Sequence, residues 1–248
     1  MIHPITFRKF AASVLALTLG VGGGSADQTA KKKPVKRPNP AMAKVDDVAG
    51  LPRVLLVGDS ISIGYTAPVR ELMKGKANLH RPLANCGPTT AGLRGLSKWL
   101  ETGGADKKWD VIHFNWGLHD LKFLGPDGAN LQDPADPKNH QQVPPVEYRK
   151  NLTELVKQLR ATGATLIWRN TTPVPEGARG RVVGHSVKYN EIAAEVMEAA
   201  NIEIHDLYSF AKERQAEIQK KADVHFSVEG SAALAVDVVR VISAALKN

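Results

Sequence analysis

A single cysteine, Cys86, excludes an internal disulfide in whatever compartment the chain occupies. It also lies far from the amino terminus, so no thiol is available there for a lipid anchor. Metal-ligand spacing is missing too: the eight histidines contain no i, i+4 pair, and there is no Cys-x-x-Cys. Neither a glycine-rich phosphate loop nor an acidic metal cluster is found, which sets aside a phosphate-binding domain. No apolar run reaches the ~20 residues that a membrane-spanning helix needs. The longest run is Phe10 to Val21, preceded by Arg8 and Lys9 and followed by the small residues Gly24-Ser25-Ala26. That order is the one expected of a cleaved export signal over residues 1–26, and it places the mature protein outside the cell or in a periplasm.

Charge of one sign is scarce once the amino-terminal segment is passed. The net charge is +8, and residues 1–40 hold seven basic side chains against Asp27 alone. That leaves about +2 for the other 208 residues. The stretch "KKKPVKRPNP" has no periodicity, so residues 27–50 are expected to form a basic disordered linker. No basic helix or interleaved aromatic pattern follows, which argues against a nucleic-acid partner.

Residues 51–248 have the makings of one folded domain. With 43% apolar and 23% charged residues, the composition is that of a globular protein with a sizeable core. Short apolar runs, "VLLV", "NLHRPLA", "DVIHFNW", "ATLIWRN" and "IEIHDL", alternate with helical patterns. The helices are expected at "APVRELMKG", "TTAGLRGLSKWL" (starting at a Thr cap), "VEYRKNLTELVKQLRATG", "SVKYNEIAAEVMEAAN" and "SVEGSAALAVDVVRVISAAL". Such alternation predicts an α/β fold: a three-layer, doubly wound, flavodoxin-like parallel sheet of about five strands. Residues 121–145, with five prolines, read as a long irregular loop.

Ligands of such sheets bind beyond the carboxyl ends of the strands. The residues there are Gly58-Asp59-Ser60, Asn85-Cys86-Gly87, Gly117-Leu118-His119-Asp120 and Asn170-Thr171-Thr172, joined by His225 before the last helix. Gly-Asp-Ser alone is weak, since about one chain of this length in twenty would hold it by chance. Its place at a strand end, together with the other blocks, makes the chain resemble the SGNH hydrolases, also called the GDSL esterase/lipase family. "VGDSIS" matches the first block with Ser60 at the nucleophile, and "NCGPTT" is similar to the second, with Gly87 at the backbone oxyanion donor. "NWGLHD" stands where the family has Gly-x-Asn-Asp, so His119 replaces the asparagine. "ADVHFSVEG" resembles the last block, with His225 at the general base.

The resemblance implies an esterase without a cofactor, acting on a small-molecule or glycan ester. An acyltransferase and a non-catalytic glycan or wall-polymer binding module derived from a hydrolase are the alternatives. The implied oxyanion donors are the N–H groups of Ser60 and Gly87 and the His119 ring, with Asn115 and Asn170 as outside candidates for the third. Trp116 and Asn115 are candidate substrate contacts. The family's aspartate three residues before the histidine is here Ala222, and the nearest carboxylate is Asp223, two before. Asp223 completes a triad if that loop is extended; otherwise the site is a Ser-His dyad. Asp59 and Asp120 are expected to brace their turns, and Arg179 and Arg181 read as solvated or as contacts for an anionic substrate.

Overall fold

The computed structural model describes residues 39–247. The export signal expected over 1–26, and the linker as far as residue 38, lie outside the described residues. The second part of that expected linker is folded. Asn39 caps a short 3-10 helix at Pro40–Met42. Asp47 pairs with Arg53 (3.1 Å), His80 (2.6 Å) and Lys107 (2.7 Å). Asn78 exchanges two hydrogen bonds with the backbone of Val48. The run "KKKPVKRPNP" leading into this segment made it look like linker; a carboxylate and an amide, both held by distant residues, bind it to the domain.

The main sheet has five parallel strands: β1 (Arg53–Val57), β2 (Asn78–His80), β3 (Val111–Phe114), β6 (Thr165–Arg169) and β7 (Glu203–His205), in the order β2-β1-β3-β6-β7. Two two-residue strands, β4 (Phe123–Leu124) and β5 (His140–Gln141), form an antiparallel pair inside the loop expected to be irregular. Val54, Leu55, Leu56 and Val57 are buried on both sides of the sheet, as their unbroken apolar run required.

The chain leaves β1 through α1 (Ser60–Leu72) toward β2, then turns back through α2 (Thr89–Leu100) to β3. Right-handed crossovers place helices on opposite faces when the direction of travel reverses. Accordingly α1 packs on α7 (Val228–Ala245), while α3 (Pro145–Arg160) packs on α2 and on α4 (His185–Ala199). The reversal falls between β1 and β3, so their carboxyl ends open a crevice at the switch point. Ser60 follows β1, and His119 follows β3.

Two helix starts differ from expectation, and both bear on the site. The first helix begins at Ser60 itself, because the Asp59 carboxylate caps it by accepting the Ile61 N–H (3.0 Å). The helix expected at "APVRELMKG" therefore covers only the second half of α1, and Pro68 lies inside it. At α2 the cap position is Pro88, and the Thr89 N–H is held by Asp120 (2.8 Å) rather than by a threonine cap.

Under the far end of the sheet, His113 contacts His205 (3.0 Å) and His205 contacts Asp237 (2.7 Å). The carboxylate accepts from His205 Nε2, and with burial keeping both rings neutral, His205 Nδ1 accepts from His113 Nε2. Burial, then His205, pushes the His113 pKa well below that of a free histidine. Burial likewise lowers His205, against the opposing pull of Asp237. In the unfolded chain these rings protonate near pH 6.5. Their contribution to stability is therefore full above about pH 6.5 and is lost as pH falls toward the lower folded values. Asp120, raised to about 7 by burial, acts in the opposite sense, so the informative quantity is a difference between proteins. In urea titrations at pH 7 and pH 5, wild type should lose more stability than His113→Gln. Equal losses would remove the buried ring from the account.

Candidate active site

Ser60 sits where the buried strand β1 passes through Gly58 and the Asp59 cap into α1. A side chain on Gly58 would press on Ser62, with its Cβ 3.0 Å from Oγ. The turn is held from below by Asp59 and Arg169, both buried, whose nearest side-chain atoms are 3.9 Å apart. As the first helical residue, Ser60 has an N–H with no acceptor inside the helix, at the positive end of the helix dipole.

His225 reaches Ser60 from the loop before α7. Its Nε2 lies 2.8 Å from Ser60 Oγ, and its Nδ1 lies 2.6 Å from Asp223 Oδ1. The same carboxylate oxygen accepts the backbone N–H of His225 (3.1 Å). This geometry comes from a tight reversal: Gln219 bridges Phe226, and the Lys220 N–H donates to the His225 carbonyl (2.9 Å). Ala222 takes a left-handed φ of +53° in the turn, which folds Asp223 back under the ring instead of relying on an extended loop. Burial pushes the Asp223 pKa up, but the hydrogen bonds from His225 outweigh it and hold the carboxyl below its ordinary value.

On the other side of Ser60, Gly87 adopts a φ of +57°, which a glycine accepts without strain. Its N–H donates to Asn85 Oδ1 (3.0 Å). The next strand end adds His119, whose pKa is lowered to about 4 by burial and the charges of Lys122, Arg181 and His225, against the pull of Asp59. The ring is neutral at pH 7 and carries one proton. Lys122 Nζ lies 3.5 Å from His119 Nδ1. An ammonium only donates, so Nδ1 accepts and the ring proton sits on Nε2.

Other candidates lie elsewhere. Trp116, expected at the pocket, is fully buried, and Gly92 of α2 and Phe114 pack against its ring. Asn115 is also fully buried; its amide donates to the Arg169 carbonyl (2.6 Å) and Thr171 Oγ1 (3.2 Å), while its oxygen accepts from Arg169 (2.5 Å). Asn170 donates to Asp206 (3.1 Å). The Asn115 amide is spent on buried partners and one Asn170 N–H on Asp206, whereas the His119 Nε2–H has no acceptor among the described residues. Gly117 precedes it because an added Cβ would collide with Thr171 Oγ1. Asp120 is buried and binds the N–H and hydroxyl of Thr89, anchoring the His119 turn to α2. Two further participants, Arg169 and Lys122, escaped the sequence. An arginine ending the apolar run "TLIWR" was the visible signal for the first. A cavity of about 640 Å³ lies at the β2 edge, lined by Asp47, His80, Leu83 and Trp99, with none of the Ser60 site residues on its walls.

The family model for the GDSL-like lipase/acylhydrolase family matches residues 56–233. The chain belongs to that family. Solved structures of SGNH hydrolases share its fold. The lipase/acylhydrolase from Enterococcus faecalis is 20% identical with a TM-score of 0.62, over 78% of this chain and 96% of its own. Axe2, an acetylxylan esterase from Geobacillus stearothermophilus, is 17% identical with a TM-score of 0.59, over 81% and 96%. The psychrotrophic esterase EstA from Pseudoalteromonas sp. is 15% identical with a TM-score of 0.58, over 79% and 99%. No curated protein sequence matches the chain. Small-molecule ester substrates fit that esterase and acylhydrolase family, and no helix among the described residues is long and apolar enough to cross a membrane.

Proposed function

We propose that this family member is an exported serine esterase that cleaves short O-acyl esters through an acyl-Ser60 intermediate. The observation that carries the reading is the unbroken line of contacts from Asp223 through His225 to Ser60 Oγ. Ser60 Oγ attacks the ester carbonyl carbon as its proton passes to His225 Nε2. The carbonyl oxygen becomes an oxyanion, and the tetrahedral centre collapses with release of the alcohol, which takes the proton back from His225. A water deprotonated by His225 then attacks the acyl carbon, the acid leaves, and Ser60 is restored.

The Ser60 N–H and the His119 Nε2–H are the donors for the oxyanion. Gly87 is the third once its N–H turns from Asn85 Oδ1 to the substrate oxygen. Replacing asparagine by a neutral histidine preserves one donated hydrogen bond, and Lys122 fixes which nitrogen donates. His119→Ala should lower kcat by about 10²–10³ with little change in KM. A loss below tenfold would reject the donor role.

Acetyl on a glycan is the favoured acyl group, supported by the likeness to an acetylxylan esterase and by the export-type amino terminus. The Gly87 N–H bound to Asn85 favours a second reading, a module that holds an ester without turning it over. Hydrolysis of p-nitrophenyl acetate and labelling by a fluorophosphonate probe, beside Ser60→Ala, separate the two. Wild-type protein that neither hydrolyses nor labels would sink the esterase reading.

A further inference from the structure

Loop 173–181 ties the two halves of the site together and brings Arg181 with it. On one side the Arg181 Nε donates to the Leu118 carbonyl (3.1 Å), and the Phe123 N–H donates to the Gly180 carbonyl (2.8 Å). On the other side Gln219 donates to the Pro173 carbonyl (2.9 Å), and Gly177 faces Ala222 so closely that an added Cβ would lie 3.1 Å from it. Arg181 therefore stands between the His119 turn and the Asp223–His225 loop. Its charge acts on His119 and Lys122 and is felt by Asp59 and Asp223.

Lys122 is 8% exposed, yet its one side-chain hydrogen bond among the described residues is the long contact to neutral His119. Among the described residues neither Lys122 nor Arg181 forms an ion pair. The neighbouring carboxylates are occupied: Asp59 caps α1 and faces Arg169, Asp120 holds the N–H and hydroxyl of Thr89, and Asp223 holds His225. Two neighbouring cations whose attraction to these carboxylates stops short of an ion pair repel each other and lose hydration. An arrangement of that kind is relieved by an anion between them. Arginine offers a planar fork to two oxygens, and lysine adds a point charge.

We propose that Arg181 and Lys122 form a subsite for an oxyanion carried by the substrate, so that the preferred ester bears a carboxylate or phosphate beside its scissile bond. This rests on the esterase reading for its catalytic consequence, though not for anion binding itself. The anion binds against the His119 turn, where it orients the ester toward Ser60 and offsets the charge of the two side chains.

Three acetate esters test it: phenyl acetate, 4-acetoxybenzoate and 4-acetoxyphenyl phosphate. Wild type should favour an anionic ester over phenyl acetate by tenfold or more in kcat/KM, and the better of the two anions identifies the chemistry. Arg181→Gln should erase that preference, chiefly through KM, while Arg181→Lys keeps part of it. Equal rates on all three esters in wild type would overturn the proposal. So would Arg181→Gln lowering all three alike, the result expected if Arg181 only holds the Leu118 carbonyl. Binding is read separately by calorimetry of 4-hydroxybenzoate and phenyl phosphate to Ser60→Ala. Adding Arg181→Gln should raise the Kd of at least one by tenfold or more, and unchanged affinity for both would overturn the subsite. If wild type turns over no ester, the esterase reading fails while the calorimetry still decides the subsite.

Discussion

Ser60→Ala is expected to reduce kcat on p-nitrophenyl acetate by about 10⁵–10⁶, with His225→Ala costing as much and the double variant no more than either. The nucleophile and base act as one unit: Ser60 Oγ lies 2.8 Å from His225 Nε2, and removing either ends the same proton transfer. What remains in each variant is binding and oxyanion stabilisation, worth about 10³–10⁴ over the reaction in water. The fold should be spared. Alanine is a good helix former at the first position of α1, and the Asp59 cap does not use the Ser60 side chain. Thermal unfolding should therefore stay within a few degrees of wild type. Costs that add in the double variant would mean the two residues act independently, and the proposed relay would be wrong.

Much of this arrangement could be read from residue order. The alternation of "VLLV", "DVIHFNW" and "ATLIWRN" with helical stretches predicted a parallel sheet, the strand-end rule pointed to Ser60, Gly87 and His119, and the SGNH resemblance added His225 from the loop before the last helix. Long-range hydrogen bonding was the part that could not be read. Asn115 and Trp116 belong to the same strand end as His119, yet their side chains turn inward. Asn115 binds Arg169, 54 positions away, and Trp116 packs against α2. A strand alternates its faces, but after β3 ends at Phe114 that alternation no longer says which residue looks out.

The segment at 39–50 was misread for the same reason. It runs on from the basic, proline-rich "KKKPVKRPNP", and what holds it is Asp47 beneath Arg53, His80 and Lys107, three partners scattered through the next 60 residues. The helix expected at "APVRELMKG" starts earlier, at Ser60. A short polar cap placed directly after a strand was the better signal. Lys122 carried no signal of its own. Its meaning depends on a ring three residues earlier whose nitrogen it faces only once the His119 turn has formed.

Asp223→Asn is expected to lower kcat by about 10³, with KM changed little. The carboxylate gives two things to His225: an acceptor for the Nδ1 proton, which leaves Nε2 free to receive the proton of Ser60, and a negative charge beside the imidazolium that forms. Asparagine keeps an oxygen, and the backbone N–H of His225 at 3.1 Å holds that oxygen in place. The tautomer is thus partly preserved, and the charge is lost outright. Because the Asp223 side chain is 44% exposed, water screens part of its effect, so the loss should fall below the ~10⁴ of a fully buried triad carboxylate. Asp223→Ala removes both contributions and should cost at least as much, and Asp223→Glu should restore part of the activity only if its longer arm still meets Nδ1. Near-wild-type turnover in the asparagine variant would instead make the site a Ser-His dyad, with Asp223 bracing the turn around Ala222. The two outcomes differ by about three orders of magnitude in kcat, so one steady-state comparison at saturating substrate decides whether a carboxylate two residues before the histidine performs the work of one three residues before it.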